Sequence, residues 1–278
     1  MSITVDVTHL VSYSVGETSY LDALATETVD ASTTRRFVPG FLPCGECGRC
    51  RRALVGACAS PRRPLLPVTE GETKLELPAR FVAPVDEPAD AARLAPAAVA
   101  LAGPLAFATF ALATANVVPG DVTFWLGDGV LATLGLAASR NAGARAFGWS
   151  SRAPFDPEAM DSDQAADGHG TRKRIVFVLG TDAEDWANAE RLGEPGSTIV
   201  QLGPRSPGQP LPLRDLPLEA RLICLSAYHP DFLPEAFAAL RRDPGLTDLV
   251  RSVATGETGA GVIRLALEAA PAATQTSL

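Results

Sequence analysis

Four of the chain's five cysteines fall within fifteen residues, as Cys44-Gly-Glu-Cys47-Gly-Arg-Cys50 followed by Cys58. Four thiolates so spaced can close a tetrahedral shell around Zn²⁺, and a shell closed by four protein ligands leaves no position open for a substrate. A chain that gathers four sulfurs around one point cannot run through them as regular helix or strand, so this segment is expected to form a small loop-built lobe. Gly45, Gly48 and Gly56 suit the tight turns that aim the sulfurs inward. Two disulfides are the competing reading. Two-residue spacings in a chain without a secretory signal suit metal binding better. A lobe that has kept its cysteines and lost its metal is a third reading. The motif speaks for a structural zinc, not for chemistry.

The chain has 278 residues, enough for one large domain or two modest ones. A net charge of −8 and a pI near 5.0 argue against nucleic-acid binding and against anionic membranes. The start, Met-Ser-Ile-Thr-Val-Asp, shows no basic signal region, so a cytoplasmic location is expected. From Leu94 to Gly120 there is no charged side chain. Pro96, Gly103, Pro104, Asn116 and Pro119 interrupt that run, so it is read as a buried interdomain helix from about Pro96 to Ala115. Against this acidic background, Arg35, Arg36, Arg49, Arg51, Arg52, Arg62 and Arg63 gather around the cysteines with Glu46 as the single acid. Guanidinium groups there offset the negative charge of a four-thiolate zinc centre. A docking face for an acidic partner is the sharper reading.

The run Phe37-Val-Pro-Gly-Phe-Leu-Pro-Cys-Gly-Glu-Cys-Gly-Arg-Cys, then Cys58, resembles the structural-zinc lobe of the medium-chain zinc alcohol dehydrogenases. The resemblance continues from about Arg36 to about Ala269. It implies an α/β chain: a Rossmann-like doubly wound parallel sheet, here shortened, and a truncated GroES-like β-rich domain that carries the zinc lobe. Residues 1–95 are assigned to the truncated domain, completed by 240–278, and residues 96–239 to the Rossmann-like domain. Only 43 residues precede Cys44, so roughly half of the family's region before the lobe is expected to be missing.

Val122-Thr-Phe-Trp-Leu126 reads as a short apolar strand running into Gly127-Asp-Gly129-Val-Leu-Ala132 and a helix to about Ala142. This is the strand, glycine turn and helix of a dinucleotide site, with Ala132 in a place where Gly or Ala is allowed. Further strands are expected at Arg145–Trp149, Ile175–Leu179, Thr198–Leu202 and Arg221–Leu225, each after a helix or loop as a parallel sheet requires. An NAD site usually ends its second strand on an acid. Here Ser150, Ser151 and Arg152 stand there, suited to the 2′-phosphate of NADP or equally to an ordinary loop. The twenty-odd residues between Trp149 and Ile175 are too few for the family's third crossover. NADP(H) binding at Gly127, Gly129, Ser150 and Arg152 is therefore expected to be weak or absent.

The resemblance also exposes what is missing. The family takes catalytic-zinc ligands from a Cys and a Gly-His-Glu before the lobe and from a position that falls here near Ala102 or Gly103. No Cys precedes Cys44, and His9 has no Glu after it. Asp167 with His169, and Tyr228 with His229, are the remaining candidates for a metal site and an acid/base pair. A capping or surface role is the plainer reading of His229. Cys224, in an apolar strand, reads as an inert core thiol. The sequence thus points to a non-catalytic binding protein built on a dehydrogenase scaffold, taking a peptide or partner protein in a biosynthetic setting. A homodimer through the Arg221–Leu225 strand is expected. The alternative is a zinc-independent NADP(H)-dependent oxidoreductase.

Overall fold

A computed structural model describes residues 2–15, 18–29, 32–52, 54–61, 74–85, 94–149, 172–179, 182–203, 216–248, 251–255 and 261–266. Two sheets organise them. The first has seven strands: β1 (Ser2–Val15), β2 (Thr18–Val29), β3 (Ser32–Val38), β4 (Lys74–Pro78), β5 (Ala83–Pro84), β11 (Arg251–Thr255) and β12 (Gly261–Ala266). The hairpin of β1 and β2 continues through β3 to β5. On the other side β1 is shared, with β4 antiparallel to its residues 2–6 and β12 parallel to its residues 9–12.

A bulge between Val7 and His9 sits at the change of partner on β1. An extra residue in a strand turns the following side chains to the other face. Val5 and Val7 accordingly pack with Leu42, Leu77 and Phe81, whereas Val11 joins the large core with Leu24 and Phe37.

The second sheet has five parallel strands in the order β10-β9-β8-β6-β7. They are β6 (Val122–Leu126), β7 (Arg145–Trp149), β8 (Arg174–Leu179), β9 (Thr198–Leu202) and β10 (Arg221–Leu225). All five expected strands are present, with β8 starting one residue earlier. Alternation along the buried strands splits their side chains between two faces. Phe124, Leu126, Val176 and Val178 face Trp186, Ala189 and Leu192 of one helix, Ala183–Leu192. Trp125, Phe177 and Val200 face the opposite core, which takes in helix α2 (Ala102–Ala115), α3 (Val130–Asn141) and a later helix, Leu233–Arg242. Helices on both faces make the sheet doubly wound.

The apolar run expected as one helix is two: α1 (Pro96–Ala100) and α2, broken at Leu101. Its span is long and apolar enough to cross a membrane, but most of it is buried inside the protein. The same core holds Val11, Leu24 and Phe37 from the first sheet, so α2 joins the two sheets through continuous packing. The shortened crossover between Trp149 and Ile175 lies outside the described residues.

Candidate functional site

The cysteine lobe is the most defined candidate. The Sγ atoms of Cys44, Cys47, Cys50 and Cys58 all lie within 4.8 Å of one another. Cys44 Sγ and Cys50 Sγ are 3.8 Å apart, and Cys47 Sγ and Cys50 Sγ 3.5 Å. A tetrahedron with Zn–S bonds of about 2.3 Å has S···S edges of about 3.8 Å, so the sulfurs stand close to where zinc would hold them. Backbone amides of Cys44, Cys47 and Cys50 donate to sulfurs of Cys58, Cys44 and Cys47 at 3.3, 3.3 and 3.5 Å. Amides of Ala59 and Cys50 hold the Cys47 thiol down to about 6, while burial pushes Cys50 up to about 12. A bound Zn²⁺ would deprotonate its thiol ligands outright. Among the described residues, this is the one cluster of three or more potential ligands.

The lobe's arginines hold its backbone together. Arg49, Arg51 and Arg52 donate to the carbonyls of Ala57, Glu46 and Gly48 at 2.8, 2.9 and 3.1 Å. Arg35 reaches Leu94 O at 2.6 Å, and Arg36 pairs with Glu27 across β2 and β3 at 2.8 Å. Arg35 and Arg36 thereby tie parts of the fold together. Arg62 and Arg63 lie outside the described residues.

The glycine turn has the backbone a dinucleotide site uses. Gly127 and Gly129 have φ of 113° and 124°, where a side chain would be strained, and Gly129 begins α3. It sits at the end of β6, where the strand order reverses between β7 and β8, the usual ligand crevice of such sheets. Its surroundings are acidic. Asp128 lies within the turn, and a Cβ on Gly127 would stand 3.2 Å from Asp185 Oδ2. Asp185 is pushed up to about 7, first by burial and then by Asp182, Asp128 and Glu184. Asp182, Asp128 and Glu184 are thus close enough to act on the Asp185 carboxyl, which itself stands beside Gly127. Ser150, Ser151, Arg152, Asp167 and His169 lie outside the described residues.

Between the two sheets lies a buried polar contact that sequence reasoning missed. Asp22 on β2 is 1% exposed. Its Oδ1 accepts from Gly40 N at 2.6 Å and from the Tyr228 hydroxyl at 3.3 Å, and Oδ2 has no partner. Burial raises the Asp22 carboxyl to about 7, against the lowering effect of both hydrogen bonds. Gly103, which with Ala102 is where the last catalytic-zinc ligand was expected to fall, is packed against it. A Cβ there would lie 1.9 Å from Asp22 Oδ2 and 3.3 Å from Tyr228 Oη. The pair joins residues 206 apart, which no local pattern announces.

Tyr228 and His229 do not form an acid/base pair. Tyr228 is buried on Asp22, while His229 Nδ1 accepts from Asp231 N at 3.2 Å and caps a short 3₁₀ turn. The capping role expected for His229 therefore holds. Cys224 corrects the expectation of a core thiol: it is exposed, because β10 is paired on one side only among the described residues.

No protein-family model and no curated protein matches the sequence. Solved structures do match the fold. An alcohol dehydrogenase from Thermus sp. ATN1 superposes with a TM-score of 0.65 at 16% identity, over 90% of this chain and 84% of that one. An alcohol dehydrogenase from Thermotoga maritima gives 0.63 at 14% identity, over 89% and 83%. A candidate zinc-binding dehydrogenase from Sinorhizobium meliloti 1021 bound to NADP gives 0.58 at 17%, over 95% and 92%. The fold is that of these dehydrogenases: a Rossmann-like parallel sheet joined to a GroES-like β-sheet with a cysteine cluster.

Proposed function

We propose that the chain is a non-catalytic, alcohol-dehydrogenase-like binding protein with one structural zinc held by Cys44, Cys47, Cys50 and Cys58. It recognises a peptide or a partner protein in a biosynthetic setting. The observation that carries this reading is the Asp22–Tyr228 contact against Gly103. A ligand side chain at position 103 would collide with a carboxylate that already fills the space. On this reading the buried acid and phenol beside Gly103 leave no open metal position there.

The turn at Gly127 and Gly129 supports the same conclusion. Its backbone is kept, but the carboxyl groups of Asp128, Asp182, Glu184 and Asp185 raise the cost of bringing a pyrophosphate to it. The alternative, a zinc-independent NADP(H)-dependent oxidoreductase, draws on that kept backbone and on the NADP bound in the Sinorhizobium meliloti neighbour. We further propose that two copies pair through β10, whose outer edge is unpaired among the described residues.

Calorimetric titration with NADPH and NADH separates the two readings. Dissociation constants above roughly 0.1 mM are expected, together with about one zinc per chain. Micromolar NADPH binding that Gly129→Trp abolishes would transfer the lead to the oxidoreductase, and a second zinc per chain would overturn the absence of a catalytic metal.

A further inference from the structure

The glycine turn after β6 stands against the first turn of the helix Ala183–Leu192, at the ends of two neighbouring strands. A Cβ on Gly127 would lie 3.0 Å from Cβ of Leu179, the last residue of β8, and 3.2 Å from Asp185 Oδ2. The Asp185 carboxylate therefore reaches the turn at the crevice where the strand order reverses. Asp185 is only 7% exposed. Its backbone N–H donates to Asp182 Oδ1, but its carboxylate has no hydrogen-bond or ion-pair partner among the described residues. Its oxygens are not among the fully sealed polar atoms that lack a partner, so they open onto the crevice.

A carboxylate so deeply placed without a partner is costly. Its neighbours do not relieve it: the charges that act on it are those of Asp182, Asp128 and Glu184, all acidic. Asp182 and Glu184 flank it on its own helix, and Asp128 belongs to the turn. The amino terminus of α3 pulls the other way, with about half a positive charge. The amino terminus of the helix Ala183–Leu192 is already capped by Asp182 Oδ1, which accepts from Glu184 N and Asp185 N. Each ionised carboxylate carries a full negative charge, so the acids prevail. They do not form a metal site. Among the described residues no group of three or more, the cysteines aside, brings its ligand atoms within 4.8 Å of one another. Carboxylates spread more widely suit a larger cation with several N–H donors.

We propose that this crevice receives a guanidinium group, in the place where a nucleotide-binding chain would hold a pyrophosphate. The side chain of an arginine within a peptide has that chemistry, and so does a free alkylguanidine. Asp185 accepts the charge-assisted hydrogen bonds, and Asp128, Asp182 and Glu184 supply the field that draws the cation in. The inference rests on reading the chain as a binding protein and deepens it, since the ligand it recognises then presents a basic group.

The test titrates the full-length, zinc-loaded protein by calorimetry at pH 8 and low ionic strength. The probes are a capped Gly-Arg-Gly tripeptide, agmatine, and the citrulline analogue of the tripeptide, which keeps the shape and loses the charge. The arginine peptide or agmatine should bind one to one with a dissociation constant between about 0.1 and 1 mM, as suits a ligand of this size. The tighter of the two identifies the source. The citrulline peptide should bind at least tenfold more weakly. Asp185→Asn should lose binding tenfold or more while keeping the wild-type circular dichroism and zinc content. Asp128→Asn combined with Asp182→Asn should weaken it several-fold, the reverse of its expected effect on NADPH. Because the Asp185 carboxyl is held at about 7, it takes up a proton between pH 8 and pH 6. Wild-type affinity should therefore fall several-fold over that range, and affinity in Asp185→Asn should not. Equal binding of the citrulline peptide, unchanged affinity in Asp185→Asn, or no binding of either guanidinium overturns the proposal. So does tighter binding of Mn²⁺ alone that Asp185→Asn abolishes. Micromolar NADPH binding would sink the binding-protein reading itself, whereas failure of NADPH and guanidinium alike would sink this inference only.

Discussion

Replacing Asp22 by Asn keeps the size and shape of the side chain and removes its charge. The carboxyl is completely buried and held at about 7 instead of its ordinary 3.8, chiefly by loss of water. That is a rise of about 3 units, each worth about 1.4 kcal/mol. A group whose native pKa is raised contributes its stability fully below the unfolded value and loses it as the pH rises through the native value. For Asp22 the loss therefore begins near pH 4 and is complete a little above pH 7. Between pH 5 and pH 8 it comes to about 2–3 kcal/mol. Urea unfolding of wild type and Asp22→Asn at several pH values measures it directly. The stability difference between them should shift by about 2–3 kcal/mol across this range, in favour of Asn at the alkaline end. Other titrating groups cancel, since both proteins carry them. Two curves that stay parallel from pH 5 to pH 8 would refute a buried, charge-averse Asp22 between the sheets.

Cys47→Ser should reduce zinc to well under one per chain and loosen the lobe locally, read by elemental analysis and limited proteolysis, since an incomplete shell loses much of the metal's folding energy. Gly135→Ala should cost about 1–3 kcal/mol in chemical denaturation, because a Cβ there would come within 2.5 Å of the Trp125 ring in a close-packed core. Asp128→Asn combined with Asp182→Asn should tighten NADPH binding several-fold in calorimetry, by removing two charges from around the glycine turn. Unchanged affinity would show that repulsion there is not what weakens the nucleotide. Light scattering at tens of micromolar should give the mass of a dimer, and a monomer would count against pairing through β10.

The parts of the fold written in short-range pattern were legible. Val122–Leu126 and Thr198–Leu202 are mostly apolar runs bounded by turn residues, and both are interior strands. The cysteine spacing placed four sulfurs within reach of one ion because the information is local. What escaped depends on distant residues meeting. Asp22 looked like one acid in a polar, acidic segment, and only the pairing of β2 with β3 beside Tyr228 makes it a buried carboxyl. Gly103 looked like a helix-interrupting residue, and its reason is the carboxylate behind it. Cys224 misled because its neighbours are apolar, while exposure depends on which strand lies at the sheet's edge.

The shared strand β1 has a consequence for how the molecule is made. Residues 9–12 of β1 lie beside residues 261–264 of β12. As the chain leaves the ribosome, the first strand can meet β2 at once, and β4 after some seventy residues, but residues 9–12 wait for their second neighbour until residues 261–264 have been synthesised. Pairings across such separations form late. During that wait the amino-terminal sheet carries an open edge, which invites pairing with other chains. The closing of β12 onto β1 is therefore the step that covers this edge of the first strand.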